Sequence, residues 1–311
     1  MPGAADDHVT RFTRELFDAL WERYRSRVSY VRDYERLIKD VDASFVNDHV
    51  AFRTLRTTMG TYQLGMPTLA VLFRPLGFRP MNAYEFKDKH LRAVHLQHPD
   101  PNLPKLFVSE LDVDSLPAEA QAVVGRYMLR YRATLDEEDL QQLRALPELA
   151  ARDRNVLLTK VLTYFETLPW GMPDRDDVET LNRHTQYGTW VLIHGYDVNH
   201  FTASVNSHGQ GPLDTIEKVV REMRARGVPM KESIEGEPGS KLRQTATESV
   251  RIPVTVRGVD GRMQEITWTY AYFEFAERAR WRNPENGADE VFQGFLGPQA
   301  NNLFEMTALK G

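Results

Sequence analysis

The sequence predicts an α+β fold in which two β-α-β-β-β modules form one cupped, mixed sheet. A strand, a helix and three further strands occur in that order twice, in residues 41–116 and again in residues 190–311. The two modules also begin with similar strand sequences, HVAFRT and NHFTASV. With 311 residues, 41% of them hydrophobic, the chain can bury one large core. We therefore expect a single domain, residues 1–311, with an internal pseudo-twofold axis.

A long N-terminal helix precedes module one and spans residues 1–40. Phe12, Leu16 and Leu20 recur at helical spacing, with charged residues between them. The character of the sequence then changes. FVNDHVAFRTL at 45–55 is rich in β-branched and aromatic residues, which is typical of a strand.

The remaining elements of module one follow in the expected order. A helix is predicted near 62–76. The next three strands are AYEF, LRAVHLQ and KLFVSELDV, at 83–86, 91–97 and 105–113. The turn residues of PDPNLP separate the last two strands. Module one is thus complete before the chain becomes helical again.

A helical connector over residues 117–189 separates the modules. Its segments PAEAQAVVGRYMLRY and LDEEDLQQLRAL consist of helix formers with amphipathic spacing. Module two then begins with a strand inside WVLIHGYDVNHFTASVN at 190–206.

Module two continues with a helix that has one apolar face and ends at Gly227 and Pro229. Its further strands are predicted near 231–235, 242–256 and 266–278. The turn VDGR joins the last two of these strands. A short closing helix near 298–308 ends the chain.

The composition excludes several kinds of site. The chain has no cysteine, so disulfides, thiolate ligands and cysteine nucleophiles are excluded. Its net charge of −5 gives no reason to expect binding to nucleic acid or to a membrane surface. No apolar run could span a bilayer, and the N-terminus lacks the apolar core of a signal peptide, so we expect a cytoplasmic location. A transition metal would need His and carboxylate ligands, which suit Fe(II) or Mn(II).

Three residues form the candidate metal site. His49 lies in the middle of the first strand of module one, and His200 lies in the equivalent strand of module two. Glu274 lies between Phe273 and Phe275, where an unpaired buried carboxylate would be costly and a metal would compensate its charge. Two histidines and one carboxylate can hold Fe(II) and leave positions open for substrate and oxygen.

Spacing alone leaves alternatives open. A histidine in a strand is more often a hydrogen-bonded core residue than a ligand, and a glutamate in a strand more often faces solvent. The competing histidines are His95, His98, His184 and His194. Glu110, taken as the module-one counterpart of Glu274, is the rival carboxylate.

Arg53 is the candidate substrate-binding residue. It follows His49 by four positions, so both side chains lie on one face of the strand. A guanidinium there could hold a substrate carboxylate through two parallel hydrogen bonds. The alternative is a surface arginine with a nearby acid.

The C-terminal motifs resemble those of 4-hydroxyphenylpyruvate dioxygenase and hydroxymandelate synthase. YFEFAER and GFLGPQANNLFE are similar to the strand with the iron-binding glutamate and to the closing helix of those enzymes. LRQ at 242–244 resembles their LLQ, which implies that Gln244 faces the substrate. Phe295 is expected to wall the site. Two departures, GFL in place of GFG and Ala300 in place of a later Phe, make an aromatic substrate less expected.

A closer resemblance is to the 2-oxoadipate dioxygenase/decarboxylase family. VNDHVAFRT, HTQYGTW, VNHFTASVN, LRQTATES and YFEFAER are similar to its spaced motifs and cover most of residues 45–305. The resemblance implies a vicinal-oxygen-chelate-like fold, with Fe(II) held by His49, His200 and Glu274 and with Arg53 binding the substrate. It implies conversion of 2-oxoadipate and O₂ to 2-hydroxyglutarate and CO₂. The chain is much shorter than the long members, so its substrate could differ.

Two other functions fit the same fold. A glyoxalase-type isomerase or lyase would use a divalent metal as Lewis acid, with Glu110 among the ligands and no oxygen consumed. A non-catalytic protein would bind small molecules without a metal. Oxygen consumption with a 2-oxo acid distinguishes the dioxygenase from both.

Overall fold

The computed structural model describes residues 8–59, 62–209, 211–297 and 304–307. Its helices are α1 (His8–Arg27), α2 (Ser29–Asp40), α3 (Met66–Phe73), α4 (Ala118–Met128), α5 (Glu137–Arg144), α6 (Ala151–Glu166), α7 (Arg175–His184), α8 (Gln186–His194) and α9 (Ile216–Ala225). Its strands are β1 (Asn47–Arg56), β2 (Thr58–Met59), β3 (Tyr62–Gln63), β4 (Arg79–Phe86), β5 (Leu91–Gln97), β6 (Lys105–Asp112), β7 (Val198–Ser204), β8 (Leu242–Ala246), β9 (Arg251–Arg257), β10 (Met263–Thr269), β11 (Glu274–Arg278), β12 (Arg280–Arg282) and β13 (Asp289–Val291).

Seven of these strands form one mixed sheet in the order β4-β5-β6-β1-β7-β11-β8, which curls into a half-barrel. The opening strands of the two modules, β1 and β7, are antiparallel neighbours at its centre. Each is parallel, on its other side, to the last strand of its own module, β6 or β11. The predicted fold class is confirmed, and equivalent residues of the two modules meet between β1 and β7.

Aromatic residues pack the N-terminal helices against the outer face of this sheet. Phe201 and Phe273 each neighbour a candidate ligand in sequence, so their side chains lie on the opposite face. Their rings contact Trp21 of α1, with centroids 5.1 and 5.9 Å away. The candidate ligands therefore stand on strands whose other face is buried.

The predicted helix over residues 1–40 is two helices, α1 and α2. The chain breaks at Val28, whose backbone is extended at φ −95° and ψ 91°. The break allows Tyr24 of α1 and Tyr34 of α2 to pack on neighbouring strands, with centroids 5.2 Å from Phe201 and 5.1 Å from Phe273. Residues 1–7 lie outside the described part of the chain.

Helix α8 corrects the predicted start of module two. Residues 190–194 belong to this helix and not to a strand, and β7 begins at Val198. From Tyr187 to its end at His194 every residue of α8 is buried, so it is apolar on all sides and shows no helical periodicity. A short apolar run of this kind does not distinguish a buried helix from a strand.

The later strands of module two are shorter than predicted. The segment near 231–235 contributes isolated bridges, Met230 to Thr247 and Glu235 to Gln244. Each of the two long predicted strands is divided, the first into β8 and β9 and the second into β10 and β11. Strands β9 and β10, joined by the predicted VDGR turn, form a hairpin outside the main sheet.

Residues 117–189, the predicted connector, contain α4 to α7 and the first four residues of α8. The predicted closing helix at 298–308 falls largely outside the described residues, as does Ala300. The described part, Phe304–Thr307, is a single 3₁₀ turn.

Candidate metal centre

His49, His200 and Glu274 converge at the centre of the sheet. One ligand atom of each lies within 4.8 Å of the other two, and all three residues are buried. Nε2 of His49 is 3.4 Å from one carboxylate oxygen of Glu274, and Nε2 of His200 is 3.4 Å from the other. The strand register causes this convergence, because Thr202 of β7 pairs with His49 on one side and with Glu274 on the other.

A β-bulge lies beside each histidine. The register between β1 and β7 shifts between Asn47 and His49, and it shifts again beyond His200. The extra residues are Asp48 and Asn199, which immediately precede the two histidines. Asp48 Oδ1 is 2.8 Å from Nδ1 of His49, and Asn199 Oδ1 is 3.0 Å from Nδ1 of His200. Both imidazoles therefore have Nδ1 engaged and Nε2 directed toward Glu274.

The two histidines differ in electrostatic surroundings. Burial lowers the pKa of His200 well below its ordinary value, helped by the nearby charges of His49 and Arg53. Burial also acts to lower the pKa of His49, but hydrogen bonds to Asp48 and Glu274 outweigh it and raise that pKa. A neutral imidazole is the form that binds a metal. The lowered pKa of His200 favours this form, whereas His49 has the acidic partner Asp48.

Several polar atoms around the cluster have no hydrogen-bond partner. They are Oε2 of Glu274, Oε1 of Gln244 and Nδ2 of Asn199, all buried. An ionised carboxylate with an orphaned oxygen in a dry site is costly. A divalent cation between the two Nε2 atoms and the carboxylate would remove that cost, so the residues present fit a metal.

The cluster lines a cavity of about 30 Å³, and Arg53 also lines it. Arg53 is only 2% exposed. It donates to Oγ1 of Thr307 at 2.7 Å and to the carbonyl oxygen of Phe304 at 3.1 Å. Its guanidinium also lies 4.8 Å from the ring centroid of Tyr187.

Gln244 and Phe295 both line the same cavity. Gln244 Nε2 donates to Oε1 of Glu274, so this side chain contacts a candidate ligand directly. The ring of Phe295 meets that of His49 edge-on, with centroids 4.8 Å apart. All six residues selected from the sequence thus surround one cavity.

Glu110, the rival carboxylate, lies elsewhere. It follows Ser109, which lines the cavity, so its side chain lies on the opposite face of the strand. Its Oε2 accepts a hydrogen bond from the backbone N–H of Met66 at 2.9 Å. Glu274 lies opposite the residue that is two positions after His200, and Phe107 lies opposite the residue that is two positions after His49. By strand register, Phe107 is therefore the module-one counterpart of Glu274. Glu110 is therefore not the counterpart that the sequence suggested.

The competing histidines also have other partners. His95 lies between Tyr84 and Gln97, and burial lowers its pKa to about 4. His194 lies on a helix and contacts the carbonyl oxygen of Thr269 at 2.9 Å. The other two contact an acid or a backbone amide near the surface, His184 with Glu119 and His98 with Asp100.

Four further residues contact the candidate ligands or a partner of a ligand and were not predicted from the sequence: Asp48, Asn199, Thr202 and Arg278. Thr202 Oγ1 is 3.0 Å from Nε2 of His49, and Arg278 pairs with Asp48 at 2.6 Å. A signal for the first two was present. NDH at 47–49 and VNH at 198–200 both place Asp or Asn directly before the histidine.

Comparisons with known proteins agree on one family. The family profile described as 2-oxoadipate dioxygenase/decarboxylase matches residues 13–289. A chloroplastic protein of that name from Arabidopsis thaliana is 27% identical over 320 residues, which cover 95% of this chain and 77% of the relative. A chloroplastic/amyloplastic protein of that name from Oryza sativa is 26% identical over 330 residues, covering 99% of this chain and 81% of the relative.

Two solved structures share the fold. A protein of Ralstonia eutropha assigned to the glyoxalase superfamily has a TM-score of 0.79 at 24% identity, covering 92% of this chain and 86% of its own. The hydroxyglutarate synthase of Oryza sativa, solved with 2-oxoadipate, has a TM-score of 0.75 at 23% identity, covering 99% and 94%. These matches support the vicinal-oxygen-chelate-like fold.

The expected cytoplasmic location is contradicted. The curated relatives from Arabidopsis and rice are chloroplastic and chloroplastic/amyloplastic. Among the described helices, none combines the length and the apolar character needed to cross a membrane.

Proposed function

The chain belongs to the 2-oxoadipate dioxygenase/decarboxylase family, and from this membership we propose that it converts 2-oxoadipate and O₂ to 2-hydroxyglutarate and CO₂. The observation that carries the proposal is one cavity lined both by a buried two-histidine, one-glutamate cluster and by a buried arginine. Such a cavity suits a diacid whose near end meets a metal and whose far end meets a guanidinium.

We propose Fe(II) as the metal, with His49, His200 and Glu274 as its ligands. The donor set contains nitrogen and carboxylate oxygen and no sulfur, and two imidazoles with one carboxylate form the facial set of non-haem iron oxygenases. When bound, Fe(II) would supply open positions for the 2-oxo acid and for O₂ and the redox chemistry that couples decarboxylation to hydroxylation.

Asp48 and Asn199 orient the two histidine ligands in this proposal. Each side-chain oxygen accepts a hydrogen bond from Nδ1–H of its histidine and so favours the tautomer whose Nε2 lone pair a metal can bind, in exchange for the Thr202 hydroxyl in the case of His49. Gln244 does the same for the carboxylate, since its amide nitrogen donates to Oε1 of Glu274 and leaves Oε2 free. The ligand geometry is thereby fixed before a metal arrives.

Arg53 holds the distal carboxylate of the substrate. Two of its partners, the Thr307 hydroxyl and the Phe304 carbonyl, carry no charge, although the guanidinium is almost completely buried. A carboxylate would give it charge-assisted, bidentate hydrogen bonds in place of these contacts. The rings of Tyr187 and Trp190, 4.8 and 5.4 Å from the guanidinium carbon, hold it in position.

Phe295 excludes water from the reacting end of the substrate. Its ring stands beside His49 and packs on Phe107, with a centroid distance of 5.0 Å. Phe107 occupies the position that the module-two register gives to Glu274, so module one contributes an apolar wall where module two contributes a ligand. A dry wall on this side limits hydrolysis and side reactions of the intermediates.

Oxygen uptake tests the proposal directly. Enzyme loaded with Fe(II) under anaerobic conditions is expected to consume one O₂ and release one CO₂ per 2-oxoadipate when air is admitted, without added 2-oxoglutarate. The products are identified by mass, with ¹⁸O₂ as the oxygen source. Turnover that continues at the same rate without oxygen would contradict the dioxygenase and favour a glyoxalase-type reaction.

A further inference from the structure

Arg278 and Asp48 form a buried ion pair next to His49. Nε and Nη2 of Arg278 donate to the two oxygens of Asp48, at 2.6 and 2.8 Å. Both side chains are 3% exposed. The same Asp48 carboxylate contacts Nδ1 of His49. Arg278 is therefore linked to the proposed metal ligand through a single intervening residue, Asp48, although Arg278 and His49 come from different modules.

The remaining nitrogen of this guanidinium holds the segment that carries Phe295. Nη1 of Arg278 donates to the carbonyl oxygens of Gly294 and Phe292, at 2.7 and 3.1 Å. The guanidinium carbon lies 5.1 Å from the centroid of the Phe295 ring. Tyr84 adds a further constraint, because its hydroxyl accepts the backbone N–H of Phe295 at 3.2 Å.

We propose that Arg278 is a positioning residue that fixes His49 through Asp48 and, with the same guanidinium, fixes the Phe295 wall against that histidine. The metal centre and the wall of the substrate cavity are then set by one side chain. This inference rests on the proposed function, since it takes His49 as a metal ligand.

The difference between the modules supports this role. In module two Asn199 takes the place of Asp48, so His200 has a neutral partner that needs no balancing cation. In module one the partner is a carboxylate, which strengthens a histidine ligand but must itself be held and balanced when buried. Arg278 does both, and Lys105 Nζ lies 3.8 Å from the same carboxylate. Because Lys105 remains, we expect Arg278 variants to fold.

Metal affinity measured without turnover tests the first half of the proposal. Apoprotein is titrated with Co²⁺, and the d–d absorption bands report both affinity and coordination geometry. Arg278→Gln is expected to weaken Co²⁺ binding roughly ten- to a hundredfold and to change the band shape, as loss of an outer partner of a ligand does. Arg278→Lys keeps the charge but not the bidentate geometry, so we expect partial recovery.

Arg56→Gln is the matched control. Arg56 lies on the same strand as His49 and pairs with Asp112, away from the cavity. Its loss is expected to leave the Co²⁺ affinity and spectrum unchanged.

A double-mutant comparison separates positioning from general destabilisation. If Arg278 acts on the metal through Asp48, then Asp48→Asn and the double variant Asp48→Asn/Arg278→Gln bind Co²⁺ equally tightly. The double variant removes both members of the ion pair and leaves only Lys105, whose side chain is 15% exposed, near the site, so it serves if Arg278→Gln fails to fold. With Fe(II) saturating, kcat of the double variant is expected to fall below that of Asp48→Asn, because the wall is released as well.

Two results would overturn the inference. One is a folded Arg278→Gln protein with wild-type Co²⁺ affinity and spectrum, and the other is a double variant whose loss of affinity equals the two single losses combined. Failure of the proposed ligand set gives a different result, because wild type and His49→Ala would then bind Co²⁺ equally, and failure of the dioxygenase activity is seen separately in the oxygen-uptake experiment.

Discussion

A buried guanidinium is costly unless a charge or several hydrogen bonds compensate it, and the partners of Arg53 include two that are uncharged. Thr307 and the Phe304 carbonyl are dipoles, not charges. Four residues along a strand span roughly 13 Å between Cα atoms, so we propose that a short diacid reaches from the Arg53 side chain to the His49 side chain. We therefore expect the single residue Arg53 to determine which substrates suit the cavity.

Replacing Arg53 is expected to remove selectivity for diacids. A charge-assisted bidentate contact in a buried site contributes on the order of 1.5–3 kcal/mol, so Arg53→Ala should lower kcat/KM for 2-oxoadipate roughly ten- to a hundredfold. Arg53→Lys should recover little, because it lacks the planar fork. A monocarboxylic 2-oxo acid of equal length should lose much less. Equal losses for both substrates would show that Arg53 does not bind the distal carboxylate.

The three proposed ligands can be tested one at a time. His49→Ala, His200→Ala and Glu274→Ala are each expected to abolish stoichiometric Fe(II) binding after anaerobic reconstitution, because two remaining donors hold the metal weakly. Iron per protein is measured by metal analysis. His95→Gln, a buried histidine with Tyr84 and Gln97 as partners, is the control that should retain iron. Full iron occupancy in Glu274→Ala would disprove the assignment.

At the level of elements, the sequence predicted module one well and module two less well. Strands β1, β5 and β6 have periodic or β-branched sequences, and the structure places them within about two residues of the prediction. Residues 190–206 contain the predicted strand, β7, but their first part, WVLI, belongs to helix α8, which is buried from Tyr187 to His194 and for which periodicity carries no information. The isolated bridges near 231–235 and the division of the later strands into β8, β9, β10 and β11 depend on tertiary contacts, which local sequence patterns do not encode.

The convergence of the candidate ligands was predictable from duplication, but their supporting contacts were not. His49 and His200 occupy equivalent strands, so a pseudo-twofold arrangement brings them together. The bulges at Asp48 and Asn199, and the partnership of Asp48 with Arg278, follow from pairing between distant strands. Element order alone suggests Glu110 as the module-one counterpart of Glu274, whereas the strand register gives Phe107.

Glu110 holds the start of helix α3 instead. Its Oε2 accepts the N–H of Met66, and Gly65 has a φ of +120° with space for no more than a hydrogen, since a Cβ there would lie 2.5 Å from that oxygen. Glu110→Ala is expected to cost about 1–2 kcal/mol of unfolding free energy, seen as a lower Tm, because a buried cap is lost. Iron stoichiometry should stay at the wild-type value. Loss of iron in Glu110→Ala would instead support the glyoxalase-type alternative, in which Glu110 is a metal ligand.

At the level of the whole molecule, the two modules share one sheet and one site. The β1–β7 pair joins them, and the candidate ligands come from both. Helix α1 packs on both modules, since Phe17 contacts Phe73 of α3 and Trp21 contacts Phe201 of β7. Neither module could keep the site without the other, which favours a single catalytic domain over residues 1–311.

Thermal unfolding with and without metal tests this single domain. A ligand that binds only the folded state at a hundred times its Kd stabilises it by about 2.7 kcal/mol, so anaerobic Fe(II) should raise Tm by several degrees. Because the ligands come from both modules, we expect one calorimetric transition that shifts as a whole. Chelation should reverse the shift, and His49→Ala should show none. Two transitions, of which Fe(II) moves only one, would mean that the modules unfold independently and that one module alone holds the metal.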